Sequence, residues 1–191
     1  MFSLFIDTHF DEVVLVLFKD GMVLDKIILN SGYKHSVVTL PSIKELIERN
    51  NINKSDIREI IVVVGPGSFT GVRIGVTIAK TLAYSLNSSI KEIDSLMLKA
   101  LSVNDILSDF YVSIEDKNGA FVGKFDVSRK KIGDYVYLSK SDYLSLKNAE
   151  NVFANVDIDY DKVYVYLKNI PETNVHNVNP LYVKKIEVLK W

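Results

Sequence analysis

The stretch VVVGPGSFTGVRIGV (62–76) decides how the chain is read. Its β-branched opening predicts a strand running to Gly65. Gly65, Pro66, Gly67, Ser68, Phe69, Thr70 and Gly71 then form a loop, and apolar residues recur at helical spacing from about Val72 to Leu86. A strand, a glycine-rich loop and a helix N-terminus bring free amides and a positive dipole end together, which suits an anion. Three readings compete. A P-loop needs Lys followed by Ser or Thr after its second glycine, and here Gly71-Val72-Arg73 follows instead. A dinucleotide fingerprint needs G-x-G-x-x-G, and Gly65, Gly67 and Gly71 leave one residue too many. Asp94 does stand 23 residues after Gly71, near the place of a ribose-binding acid. The fingerprint belongs to the first βα turn, however, whereas this strand follows other elements. The third reading is a tight turn with no ligand.

Within the helix, Gly71, Gly75, Ala79 and Ala83 fall at four-residue intervals down one face. Such a stripe lets another backbone approach closely. Gly75 costs ~1 kcal/mol of helix propensity relative to alanine, so a packing gain is expected to offset it. The neighbour is either the protein's own sheet or a helix of another subunit. Val72 and Val76 make the helix apolar over more than one face, and such a helix needs cover on more than one side.

Outward from this stretch, FSLFI (2–6), VVLVLF (13–18) and MVLDKIIL (22–29) read as a three-strand antiparallel meander, with KDG (19–21) as a turn. Val37, Leu40, Ile43, Leu46 and Ile47 recur at helical spacing, with Pro41 early in that helix. The strand before Gly65 is apolar at consecutive positions, as expected of one buried on both faces. IKEID is a fifth strand and SLMLKALSVNDIL a further helix. YVSIEDKNGAFVGKFDVS repeats the opening order of strand, acidic turn and strand, with Glu115 near the place of Asp7. The rest is short and tyrosine-rich, with DYVYL and KVYVYL as strand-like pieces. The chain therefore divides into residues 1–103 and a shortened copy, 104–191.

Composition narrows the function. The 191 residues are 48% hydrophobic and 25% charged, with a formal net charge of −1. A packed core is expected, and no basic excess marks a nucleic-acid binder. Without cysteine there is no disulfide and no thiolate zinc site, which fits a reducing compartment. No apolar run approaches the ~18 residues of a membrane span. The N-terminus lacks a basic region before its apolar run, so a cytoplasmic location with no membrane partner is expected. His9, His35 and His176 offer no pair at metal-ligand spacing, so no metal is expected. His9 and His176 read as exposed turn residues, and His35 as a helix start beside Ser36, a good N-cap.

GPGSFTGVRIGVTIAKTLAYSL (65–86) resembles, almost residue for residue, the signature of the TsaB (YeaZ) family. LFIDTHFDEVVLVLF (4–18), KHSVVTLPSIKELIERNNINKSDIREI (34–60) and IKEIDSLMLKAL (90–101) resemble its flanking segments. EDKNGAFV (115–122) is a looser match, with Glu115 where an Asp is usual, and NPLYVKK (179–185) resembles its C-terminal segment. The match covers the first 100 residues well and thins beyond them.

The resemblance implies an α/β actin-like fold, the sugar-kinase/Hsp70 architecture of two related lobes, here with the second truncated. It implies a non-catalytic subunit of the bacterial machinery that puts threonylcarbamoyl on the tRNA adenosine beside the anticodon. The implied partners are a TsaD-type transferase subunit, a TsaE-type ATPase and, when alone, a second copy; tRNA is met only through the complex. No cofactor is implied. The helices near 37–50 and 72–86 come together across the family's dimer. On this reading Ser36, Leu40, Ile43, Ile47, Val72, Arg73, Gly75, Val76, Ala79, Lys80 and Ala83 form the interface. In active actin-like kinases an acid at the first turn helps hold a nucleotide's metal, so Asp7 and Thr8 are candidates for a vestigial nucleotide contact. The competing function is an actin-like nucleotide hydrolase or kinase.

Overall fold

The computed structural model describes every residue except 31, 33 and 185–191. Strands β1 (Phe2–Asp7), β2 (Glu12–Lys19) and β3 (Met22–Asn30) form the expected antiparallel meander. Helix α1 (His35–Arg49) leads to β4 (Ile57–Val63), which pairs in parallel with β1. Helix α2 (Phe69–Leu86) leads to β5 (Ser89–Ile93), parallel to β4. The first sheet therefore runs β3-β2-β1-β4-β5. After α3 (Ser95–Ser102), strands β6 (Phe110–Glu115), β7 (Gly119–Phe125) and β8 (Lys131–Ser139) form a second antiparallel meander. Helix α4 (Lys140–Ala149) then leads to β9 (Val152–Phe153), parallel to β6, and α5 (Tyr160–Lys168) follows. The second sheet is β8-β7-β6-β9, the same winding with one strand fewer among the described residues. This two-lobed, internally repeated plan is the actin-like architecture, shortened in its second lobe.

Alternation along the strands builds the core. In β4, Ile60 and Val62 face α1 and α2, where they meet Leu46, Val72, Val76 and Ala79. Ile61 and Val63 face the other way, and so does Phe5 of β1. There they join Leu98 and Leu101 of α3, Phe110 and Phe125 of the second sheet, and Leu167 of α5. Burial of β4 on both faces is thus explained: helices cover one side and the second lobe covers the other.

Two elements differ from the sequence reading. KVYVYL lies in helix α5, with Asp159 capping the Lys162 amide and Val163, Tyr164 and Leu167 buried. Val-Tyr alternation mimics a strand, but the buried positions have helical spacing, and tertiary packing overrides β-propensity. Helix α4 was not anticipated, because it buries little besides Tyr143 and so shows a weak apolar stripe.

Candidate functional site

The glycine loop is filled by the protein's own chain. Ser68 donates its amide to the carbonyl of His9 (2.7 Å), and the Thr8 hydroxyl donates to the carbonyl of Gly71 (2.7 Å). A Cβ placed at Gly67 would strike the His9 carbonyl; at Gly71, the Thr8 carbonyl; at Gly75, the Thr8 hydroxyl. Three of the glycines are therefore required by close approach of the β1–β2 turn. Ser68 caps α2 by accepting from the Gly71 amide (3.2 Å), which starts the helix at Phe69, earlier than the apolar spacing shows. Gly65 takes a φ of +91°, where glycine is favoured, and accepts from the Ser95 amide (2.9 Å). Asp94 is not a ribose acid: its carboxylate caps α3 by accepting from Met97 (2.7 Å).

Asp7 and Thr8 are buried in this clasp. Asp7 accepts from the His9 amide (2.9 Å), and the His9 ring nitrogen Nδ1 lies 2.6 Å from the same oxygen. His9 is correspondingly half-buried rather than an exposed turn residue. His35 is buried too, with Nε2 2.7 Å from the Phe10 carbonyl. Ser36 is no N-cap, since α1 begins at His35 after Lys34. Among the described residues no cluster of three or more metal-ligating side chains occurs.

The expected interface divides in two. Gly71, Gly75, Ala79 and Ala83 face the protein's own first sheet, Ala79 with no exposure at all. Ile43, Val72 and Val76 are buried with them in the core under α1 and α2, and Ile47 packs against it half-covered. The small-residue stripe is thus an intramolecular contact, because α2 must approach β1 closely enough to hold Thr8. Lys80 is engaged as well: its ammonium donates to the carbonyls of His176 (3.2 Å) and Val178 (3.0 Å), tying the C-terminal segment to α2.

Ser36, Leu40 and Arg73 remain at the surface. With Phe69, Thr70, Ile74, Thr77 and Ile78 they line a shallow groove of about 410 Å³ between α1 and α2. Leu40 is 50% exposed and Phe69 45%. Sequence reasoning missed Ile74, Thr77 and Ile78. Their i, i+3, i+4 spacing identifies a second face of α2 once the small-residue stripe is assigned to the core.

A larger cavity, about 1120 Å³, opens between the lobes. Phe10, Phe69, Phe121, Tyr137 and Tyr182 wall it, with Asp11, Glu115, Asp116, Lys117 and Lys184 among its charged residues. Neither Asp7 nor Thr8 reaches it. The second-lobe turn occupies its own amides, because Asp116 accepts from Asn118 (2.7 Å), Gly119 (2.9 Å) and the Tyr137 hydroxyl (2.6 Å). Burial, and then the hydrogen bond to Asp116, push Tyr137 up to about 12. Burial opposes ionisation of Asp116, but the Tyr137 hydroxyl, the turn amides and Lys184 hold its carboxyl below the usual range.

Residues 27–109 match the family model described as TsaD, tRNA N6-adenosine threonylcarbamoyltransferase. The chain is similar to the tRNA threonylcarbamoyladenosine biosynthesis protein TsaB of Bacillus subtilis, 40% identical over 96 residues, or 50% of this chain and 42% of that one. It is also similar to an uncharacterized protein, the MG208 homolog of Mycoplasma pneumoniae, 26% identical over 96% of this chain and 95% of that one. The match to the Bacillus protein thus spans less than half of that relative's length. Among solved structures, YeaZ from Pseudomonas aeruginosa has the same fold, with a TM-score of 0.76 at 16% identity over 95% of this chain and 100% of that one. The TsaB-named relatives match the half of the chain that carries the glycine signature, and the fold is that of YeaZ, so the chain is similar to the TsaB (YeaZ) family in that half and in its fold.

Proposed function

We propose that this chain serves tRNA threonylcarbamoyladenosine biosynthesis as a scaffold or activating subunit without chemistry of its own. It pairs with a TsaD-type transferase, works with a TsaE-type ATPase and meets tRNA only through that complex. The observation that carries this reading is the groove between α1 and α2, where Leu40 and Phe69 stand half exposed beside Ile74 and Ile78. Exposed apolar surface of this kind marks a protein contact. In isolation the same groove supports a two-fold pair, since a closed dimer uses one patch on both subunits.

The competing reading, an actin-like nucleotide hydrolase or kinase, has the inter-lobe cavity in its favour. Against it, the amides of Ser68, Asn118 and Gly119 already bond to the protein itself. Co-expression with the transferase subunit, with and without the ATPase, tests the proposal: the chain co-purifies with the transferase. Incubation of the isolated chain with ATP and magnesium separates the two readings. Negligible turnover supports the scaffold, and turnover abolished by mutation of the cavity supports the enzyme.

A further inference from the structure

A separate cavity of about 400 Å³ opens where β5 ends, walled also by Tyr166 of α5 and by the segment 177–181. Glu92 and Asp94 both line it, and residues two apart on an extended chain share a face. The segment across from them is fastened to the first sheet. The Thr173 amide donates to the Ile90 carbonyl (2.8 Å), the Leu181 amide donates to the Val64 carbonyl (2.7 Å), and Val178 has no exposure. The cavity is therefore formed before any ligand enters, and its volume suits a small molecule. Glu92 and Asp94 are the only charged residues among the described residues that line it. Asp94 spends Oδ1 on the Met97 amide (2.7 Å). Glu92 is half-buried, and among the described residues no group bonds to its carboxylate. Burial raises that carboxyl above its ordinary value of 4.5, with no charge or hydrogen bond to oppose the rise. Asn179 spends its Nδ2 on the Asn177 carbonyl (2.8 Å), which leaves its Oδ1 as an acceptor. Lys131, the cation that acts on Asp94, holds its ammonium over the Tyr135 ring at 4.7 Å and does not line the cavity.

We infer that this cavity binds a small organic cation, a primary ammonium carried on a short apolar chain. The charge sets the class. An anionic ligand would meet two carboxylates and no cation. An ammonium brings three donors and no acceptor, the complement of a lining rich in acceptors. Glu92 is its ion-pair partner, because a carboxylate taken partly out of water without a partner is costly and an opposite charge relieves that cost. The free oxygen of Asp94 and Oδ1 of Asn179 offer the further acceptors. The apolar lining sets the rest of the ligand. Val64, Met97, Ile170 and Leu181 match an alkyl chain and would be left unused by a hydrated metal ion. No residue of the α1–α2 groove lines this cavity, so the inference stands apart from subunit pairing.

The test is a two-dimensional NMR titration of the full chain with n-butylammonium chloride at neutral pH. The neutral 1-butanol, the anionic butyrate and calcium chloride are titrated in parallel. Butylammonium should give saturable shifts centred on Glu92, Asp94 and Asn179, and the other three should not. Glu92→Gln removes the charge, keeps the shape and has no protein bond to lose, so it should stay folded by circular dichroism. It should weaken butylammonium binding at least about tenfold. Glu115→Gln, in the inter-lobe cavity, should leave binding unchanged. Failure of wild type to show saturable shifts at these residues overturns the inference. So does a folded Glu92→Gln that binds like wild type, or 1-butanol binding as tightly as butylammonium, because the charge would then decide nothing. Calcium saturating the same residues where butylammonium does not would replace the organic cation with a metal and overturn the assignment.

Discussion

Thr8 and Gly71 are joined across 63 residues of sequence: the Thr8 hydroxyl donates to the Gly71 carbonyl at 2.7 Å, and Gly75 sits against the same hydroxyl. The loop that looks built for a phosphate is built to grip the first turn of its own sheet. Gly75→Ala should therefore destabilise the protein by about 1–3 kcal/mol, through overpacking against Thr8. The ~1 kcal/mol that alanine gains in helix propensity offsets part of this. In a Thr8→Ala background the penalty should shrink, because the clashing oxygen is gone. A double-mutant cycle by chemical denaturation measures this coupling, and strict additivity would show that the two residues do not meet.

Ala79→Arg tests the direction in which the small-residue stripe faces. With Ala79 fully buried against the first sheet, a guanidinium there has no water and no acid to pair with. The loss should exceed ~4 kcal/mol, a large part of the stability of a domain this size. The variant should give no cooperative thermal transition. A folded Ala79→Arg protein would return the stripe to a subunit interface.

Asp94 gives the protein a pH dependence of known sign. Burial raises its carboxyl above the ordinary value of 3.8, against the opposing hydrogen bond from the Met97 amide. The folded state then binds a proton that the unfolded state has released, so this contribution is present at low pH and is lost as pH rises from about 4 through the raised value. Asp94→Asn still caps α3 and does not titrate. Its stability should fall less than that of wild type over that window, as read by denaturant midpoints at successive pH values. Parallel pH profiles would show that Asp94 titrates normally.

Much of the fold was legible because local and global signals agree. The first meander, α1, α2 and the doubly buried β4 all carry the periodicity of their final environment. The second lobe was harder. In α5 the Val163-Tyr164-Val165-Tyr166 run has strand-like residues, and only contacts with the first sheet and α3 make it a helix. The site was half legible. The glycine stretch announces close approach, but spacing alone cannot say whose backbone approaches. Here it is Thr8 and His9, some sixty residues earlier in the chain. The groove was hidden because its residues lie on two helices, and because Val72, Val76, Ala79 and Ala83 made a stronger apolar pattern on the buried side of α2. The Arg73–Tyr182 bond, spanning 109 residues, leaves no local trace in sequence.

On the proposed function, the α1–α2 groove, and not the small-residue stripe, is the surface that meets another subunit. The most direct measurement is the affinity of purified transferase subunit for wild type and for Leu40→Asp. Leu40 is half exposed and outside the buried core, so the variant should keep the wild-type circular dichroism spectrum and melting behaviour. Replacing this apolar contact by a carboxylate, in a groove whose other lining residues are apolar or neutral except Arg73, should lower affinity at least about tenfold, or ~1.4 kcal/mol. A folded Leu40→Asp protein that binds the transferase as tightly as wild type would rule the groove out as the pairing surface.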